Sequence, residues 1–239
     1  MLGRNERSAS VRQRLPRRLA LSVGGLLPDE QVGLASSLWS ELPRHAPHAA
    51  MSVALRKPMT LAEFLAWEEQ QELRYEFDGF EPVAMTGGTI AHDQITFDLR
   101  TALATRLVGK PCRPLGPNVK IIVDGRARYP DALVVCQPVS PTASIVENPV
   151  VVFEVLSEGT SETDLIDKNR EYRATPSIQR YVILQQIHKV AIVFERRADG
   201  WLSEIVSGDG AVLDLPEIGI SIPLDEIYAN AELPEAPQA

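Results

Sequence analysis

Cysteine and long apolar runs are both scarce in this sequence. Its two cysteines, Cys112 and Cys136, cannot form a disulfide scaffold, and they lack any close metal-ligand spacing. Both lie near apolar, strand-like runs, which predicts two small buried thiols and a reducing, cytoplasmic compartment. No apolar run approaches the roughly 20 residues that a membrane-spanning helix needs. A membrane protein is therefore not expected.

The sequence also lacks an excess of basic charge, since its formal net charge is −8. Residues 1–50 carry seven arginines against four acidic residues, or +3, which leaves −11 for the remainder. A protein that coats duplex DNA non-specifically usually presents a basic face. The charge thus argues against a simple DNA-binding module. It is compatible with an enzyme whose metal ions offset clustered carboxylates.

Composition divides the chain into three parts. Residues 1–55 are rich in Arg, Ser and Pro and are expected to be a disordered or non-native extension, because Met51 begins a segment typical of a natural start. A weak secretory signal and a mitochondrial-type presequence are the alternatives for this extension. A folded domain is predicted over 56–230, and a disordered tail over 231–239.

Apolar periodicity and turn signals predict an α/β fold for the domain. Residues 150–156 are apolar on both faces, as a strand covered on both sides would be. The predicted elements are a helix from Thr60 to about Gln71, a hairpin at Asp78-Gly79, a helix over 89–108, a turn at Asp124-Gly125 with Tyr129 to Cys136 as return strand, a central strand over Val150 to Leu156, a helix over Ser161 to Ala174, and strands at Tyr181 to Leu184 and Val190 to Phe194.

Two carboxylates are expected to meet at the ends of neighbouring strands. Glu154 lies within the central apolar strand, where an ionised carboxylate costs several kcal/mol unless a cation, a metal or hydrogen bonds compensate. Asp131 precedes an apolar strand, and an antiparallel pairing would place it beside Glu154. Such a pair with a main-chain carbonyl suits Mg²⁺. The alternatives are a Glu that reaches solvent or an Arg, and a Pro-Asp turn.

Lys168 lies fourteen residues after Glu154 in the next predicted helix. A helix packed on the sheet could return its ammonium group to the two carboxylates. The alternative is an exposed helix lysine that pairs with Asp164 at i−4, which is a common arrangement. The sequence by itself favours this second interpretation.

The ordered series of motifs resembles the Uma-two family of endonucleases in the PD-(D/E)XK superfamily, over roughly residues 58–200. This resemblance implies a restriction-endonuclease-like core, in which helices flank a mixed central sheet. The matching residues are Tyr75-Glu76-Phe-Asp78-Gly79, His92, Pro130-Asp131, Val152-Phe-Glu154-Val-Leu-Ser157, Asp164, Lys168, Tyr172 and Tyr181-Val-Ile-Leu.

The same resemblance implies metal ligands. Asp131 and Glu154 would hold Mg²⁺ or Mn²⁺, with the carbonyl of Val155 as a further ligand. Superfamily enzymes usually place a lysine two residues after the Glu, where this chain has Leu156. A lysine of the following helix is thought to substitute for it in this family, and that makes Lys168 the candidate.

Three further residues receive roles from the resemblance. Glu76 would add a carboxylate near the metal, and its alternative is an exposed strand Glu beside a hairpin. His92 would touch the scissile phosphate or orient a water, unless it only bonds its own helical turn. Tyr172 could hold the lysine or the phosphate, although a helix tyrosine more often packs in the core.

The expected function is metal-dependent hydrolysis of phosphodiester bonds in nucleic acid, with DNA as the substrate by family analogy. A homodimer is expected, because cutting both strands needs two sites. A nuclease-derived binding or regulatory protein without turnover is the first alternative, favoured by the missing lysine two residues after Glu154 and by the acidic surface. The second is a purely structural α/β domain of a larger complex.

A start at Met51 predicts a natively expressed protein that lacks the first fifty residues. Intact mass spectrometry of the protein from its own host measures this directly. A mass that matches all 239 residues would contradict the prediction.

Overall fold

The computed structural model describes residues 58–85, 87–157 and 163–233. Its elements in chain order are α1 (Leu61–Glu68), β1 (Tyr75–Phe77), β2 (Pro82–Ala84), α2 (Ile90–Leu107), β3 (Arg113–Leu115), β4 (Ile121–Val123), β5 (Arg126–Arg128), β6 (Ala132–Val135), β7 (Val151–Val155), a π-helical segment (Thr163–Lys168), α3 (Asn169–Ala174), β8 (Arg180–Leu184), β9 (Val190–Arg197), β10 (Gly200–Ser207), β11 (Val212–Leu215), a 3₁₀ turn (Pro216–Ile218), β12 (Ile220–Pro223) and α4 (Leu224–Ile227).

Three predictions fall partly or wholly outside these ranges. They are the extension over residues 1–55, the start of the third helix at Ser161, and most of the tail over 231–239. None of the helices that the structure describes is both long enough and apolar enough to cross a membrane.

A six-stranded mixed sheet forms the centre of the domain, in the order β10-β9-β8-β7-β6-β3. Every residue of β7 and β8 is buried, and these two strands pair in parallel. A parallel pair needs a crossover, and the π-helical segment with α3 supplies it. Helix α2 packs its buried residues, Ile95, Leu99 and Leu103 among them, into the core cluster on one side of the sheet. The predicted mixed sheet flanked by helices is confirmed.

A smaller sheet, β2-β1-β5-β4, corrects one sequence prediction. The turn at Asp124-Gly125 is a two-residue hairpin with φ of 48° and 74°, which is the geometry that favours Asp-Gly. Its return strand is β5, paired with β4, and not the segment from Tyr129 to Cys136. The chain leaves the small sheet at Tyr129-Pro130, where proline has no amide for a ladder bond, and enters the central sheet as β6.

Cys112 and Cys136 form a disulfide bond, so the prediction of two thiols is wrong. Strand β3 pairs with β6 so that Arg113 lies opposite Val135. The residue before β3 therefore faces the residue after β6. This register depends on the pairing of two strands that are distant in sequence. The number of cysteines therefore cannot predict that the two sulfur atoms meet.

Reduction of this bond should lower the free energy of unfolding by about 3 kcal/mol, because the bond closes a loop across 24 residues of sequence separation. Urea unfolding with and without reductant measures the change. The double variant Cys112→Ser/Cys136→Ser is the control and should not respond to reductant. Alkylation of two thiols in the native, unreduced protein would contradict the bond.

Candidate active site

Strand register places Asp131 beside Glu154. Strand β6 runs antiparallel to β7, with Ala132 opposite Phe153, so the residue just before β6 comes opposite Glu154. The Asp131 carboxylate is fixed there, because its Oδ2 accepts a hydrogen bond of 2.7 Å from the backbone amide of Val155. Asp131 is thus tied across the strand pair and is not merely part of a turn.

Glu154 is buried, with only 4% of its surface exposed, and the fold compensates its charge. Its Oε1 accepts hydrogen bonds from Lys168 Nζ at 3.1 Å and from the Tyr172 hydroxyl at 2.7 Å. Burial and the neighbouring Glu154 carboxylate raise the pKa of Tyr172 well above its ordinary value. The phenol therefore stays protonated and acts as a donor.

Lys168 reaches Glu154 because the crossover between β7 and β8 folds back over the sheet. The predicted helix begins as a π-helical segment that ends at Lys168 and continues as α3. Lys168 and Tyr172 are four residues apart, so both face the sheet. Lys168 is only 5% exposed. The interpretation of Lys168 as an exposed helix lysine is wrong.

Glu76 lies on the other side of the same ammonium group. Its Oε1 is 3.4 Å from Lys168 Nζ and accepts a hydrogen bond of 3.1 Å from the amide of Tyr129. Its Oε2 accepts from Arg128 Nη1 at 3.1 Å. The Glu76 side chain is 12% exposed, so it is not the solvent-facing strand residue of the alternative interpretation. Lys168 thus lies between two carboxylates.

His92 joins the site from the start of α2. Its Nε2 lies 3.2 Å from Asp131 Oδ2. Its backbone amide donates to the Oγ1 of Thr89, the N-cap residue of α2, and this fixes the first turn of the helix. The His92 side chain is 20% exposed, so its ring borders both Asp131 and solvent. The five predicted side chains thus form two contacting groups, His92 with Asp131 and Glu76 with Lys168 and Glu154. The backbone amide of Val155 links Asp131 to the strand that carries Glu154.

Sequence reasoning missed a buried ion pair beneath the site. Arg128 donates to Glu171 through Nε and Nη2, both at 2.7 Å, in a two-pronged contact. Burial by itself lowers the pKa of Arg128, but the hydrogen bond to Glu171 and the charge of Glu76 raise it above the ordinary arginine value. The only sequence signals are the charge of Glu171, which lies next to the predicted Tyr172, and the alternation of Arg126 and Arg128 after the hairpin turn at Asp124-Gly125.

The oxygen donors of the site suit a divalent metal, although they are few. The described residues contain no group of three or more His, Cys, Asp or Glu side chains that could hold a metal ion. Mg²⁺ usually needs only one or two carboxylates, with waters and substrate phosphates as its other ligands. Asp131, Glu154 and the Val155 carbonyl are hard oxygen donors of that kind. The contacts to Asp131 from Val155 and His92 both use Oδ2, and neither occupies Oδ1.

Arg128→Met should lower the free energy of unfolding by about 3 kcal/mol, because it leaves the fully buried Glu171 without its main partner. Arg126, whose Nε lies 3.1 Å from Glu171, compensates part of the loss. The double variant Arg128→Met/Glu171→Met should recover much of it, since the unpaired buried charge is gone. Urea unfolding measures all three proteins.

Arg170→Met is the control, because Arg170 is an exposed arginine next to Glu171 on α3. Arg170 is 61% exposed and pairs with an exposed aspartate, Asp167, so its loss should change stability by less than about 0.5 kcal/mol. Equal effects of the Arg128 and Arg170 substitutions would contradict the assignment of Arg128 to a buried network.

Comparison with known proteins identifies the family of this chain. Residues 61–225 match the Uma2 family, whose description is "Putative restriction endonuclease". An uncharacterized protein of Synechocystis is 31% identical over 170 residues, which cover 70% of this chain and 89% of that protein. A second uncharacterized Synechocystis protein is 27% identical over 170 residues, which cover 69% of this chain and 96% of that protein.

The fold is shared with a solved structure. It is the crystal structure of a "putative nuclease belonging to DUF820" from Anabaena variabilis, with a TM-score of 0.61 at 15% sequence identity. The match covers 72% of this chain and 98% of that chain. A likeness at this identity establishes the fold only. With its restriction-endonuclease-like fold and a family match over most of its length, the chain belongs to the Uma2 family.

Proposed function

We propose that this chain is a metal-dependent endonuclease that hydrolyses phosphodiester bonds in DNA. The convergence of Asp131, Glu154 and Lys168 carries the proposal. Two acids from neighbouring strand ends and a lysine from the crossover helix lie together, in a family whose description is "Putative restriction endonuclease". The buried position of Lys168 supports it further, because a charged side chain is rarely buried without a partner or a function.

Asp131 and Glu154, with the Val155 carbonyl, would hold Mg²⁺ or Mn²⁺. Such an ion, when bound, makes its water more acidic and offsets negative charge on the phosphate. Lys168 orients the attacking water and stabilises developing negative charge through its ammonium group.

Glu76 and His92 support the central three residues. Glu76 contacts two cationic side chains and a backbone amide, so we assign it to positioning Lys168. Its role as a further metal ligand stays a prediction. His92 lies beside Asp131 and is partly exposed, which supports its assignment to orienting a water or contacting the scissile phosphate.

The proposal includes a homodimer, because two active sites are needed to cut both strands of a duplex. It also includes a cytoplasmic location. The Cys112–Cys136 disulfide weighs against that location, since disulfide bonds are rare in reducing compartments.

A second candidate is a nuclease-derived protein that binds nucleic acid or regulates without turnover. Two observations favour it. Leu156 occupies the position of the usual lysine, and Lys168 is held in buried contacts with both Glu154 and Glu76. Metal binding separates the two candidates, because a site without turnover has no need of a divalent ion.

The purified chain with Mg²⁺ or Mn²⁺ should cleave at least one of four DNA forms: supercoiled, linear, branched or single-stranded. Asp131→Asn, Glu154→Gln and Lys168→Met should each lower the cleavage rate by roughly 100-fold or more, because each removes a group that stabilises the transition state. Asp225→Asn removes an exposed carboxylate that pairs with Lys189, and it is the matched control with unchanged activity. Circular dichroism and thermal unfolding check that each variant folds.

Calorimetric titration of Mn²⁺ without DNA gives a second readout. Wild type should bind the ion, and Asp131→Asn should lose that binding. Metal binding without cleavage of any substrate would overturn the nuclease function but retain the metal site. Absence of both would favour the second candidate, and cleavage that survives all three substitutions would place the activity elsewhere.

A further inference from the structure

The outward face of α2 carries an unusual row of apolar side chains. Ile90 is 82% exposed and Phe97 is 61% exposed, and Ala104 continues the row on the exposed side of the helix. A spacing of seven residues is close to two helical turns, so these three side chains lie along one line of about 21 Å. The opposite face of α2 already packs in the core through Ile95, Leu99 and Leu103. The exposed row therefore has no role in packing the described domain.

A pair of opposite charges flanks this row. Asp93 and Arg100 are both exposed and are also seven residues apart, so they form a second line beside the first. Neither residue forms an ion pair with any part of the chain that the structure describes. At about 10 Å along the helix they are too far apart to pair with each other. Each charge is therefore without an ionic partner among the described residues and is open to a group beyond them.

We propose that this face, defined by Ile90, Asp93, Phe97, Arg100 and Ala104, binds α2 of a second copy of the chain in an antiparallel dimer. A two-fold axis perpendicular to the helices near Phe97 pairs Asp93 with the partner's Arg100, and the reverse pair forms on the other side of the axis. The same operation places Phe97 against its own copy. It also sets the large Ile90 against the partner's Ala104, which is small. The face is thus complementary to itself in shape and in charge.

Other occupants fit this face less well. Nucleic acid would require a surplus of basic residues, but the face holds one acid for one base. Two exposed apolar side chains also lie on the edge strand β10, Leu202 and Ile205, but they are three residues apart and so project from opposite faces of the strand. The charged residue of that strand is Glu204, so a symmetric copy paired there gains no opposite charge. Of these two elements, α2 is the one whose charges a second copy satisfies.

The dimer would also extend the candidate site. Ile90, Asp93 and His92 line a groove of about 320 Å³ at the start of α2, together with Gly88 and Thr89. Pairing at Asp93 would bring the partner's Arg100 to the edge of this groove, and so add positive charge beside His92. This inference rests on the homodimer of the proposed function. Self-association is measured without DNA or metal, so its failure leaves the cleavage test unaffected.

Charge reversal tests the pairing. Sedimentation velocity of the full chain over a range of concentrations should show a wild-type dimer. Asp93→Arg and Arg100→Asp should each raise the dimer dissociation constant by roughly 10-fold or more, because each sets like charges against one another twice. An equal mixture of the two variants should restore the dimer, since the arginine introduced at position 93 of one chain then meets the aspartate introduced at position 100 of the other. No effect within a single chain can produce that recovery.

Glu204→Arg on β10 is the matched control and should leave the dimer unchanged. Phe97→Glu should give a monomer with an unchanged melting temperature, which separates loss of the interface from loss of folding. Three results would overturn the proposal: a wild type that is monomeric at every concentration, a mixture that stays monomeric, or dissociation by Glu204→Arg.

Discussion

The buried carboxylate of Glu154 is the constraint on which the rest of the site depends. All five residues of β7 are buried, and an ionised group there is unfavourable unless a cation or strong donors surround it. Lys168 and Tyr172 meet that requirement from a single helix, four residues apart. That helix is in place because β7 and β8 are parallel neighbours and need a crossover between them. The parallel pairing of β7 and β8 therefore also brings the groups that compensate the charge of Glu154 to the site.

A series of ion pairs continues from Glu154 through four further charged residues and ends on α3, the helix that directly follows Lys168. Lys168 contacts Glu154 and Glu76, Glu76 contacts Arg128, and Arg128 contacts Glu171. The series connects β7 of the central sheet with β1 and β5 of the smaller sheet. Movement of either sheet would separate opposite charges in a low dielectric, so the network aligns the two sheets at the site.

Local patterns predicted the parts of the fold that local chemistry determines. The capping box at Thr60, the hairpin at Asp78-Gly79 and the apolar strand around Glu154 each depend on a few adjacent residues, and the structure contains all three. The meeting of Asp131 with Glu154 followed from one assumed strand pairing. Arg128 and Glu171 are 43 residues apart and belong to different layers, so no local pattern indicates them. The disulfide escaped prediction for the same reason, because strand register decides it.

Under the proposed function, the position of Lys168 on the crossover helix leaves Leu156, the strand position after Val155, without a catalytic role. The backbone carbonyl of Leu156 accepts a hydrogen bond from Gln186, which also binds Thr89 at the start of α2, and this contact does not depend on the side chain at position 156. The side chain at position 156 can therefore change without moving the ammonium group of Lys168. A search keyed to a fixed Glu-to-Lys spacing passes over such sites. A search keyed to the position of the ammonium group in space recovers them, and relatives that look degenerate by motif deserve that second comparison.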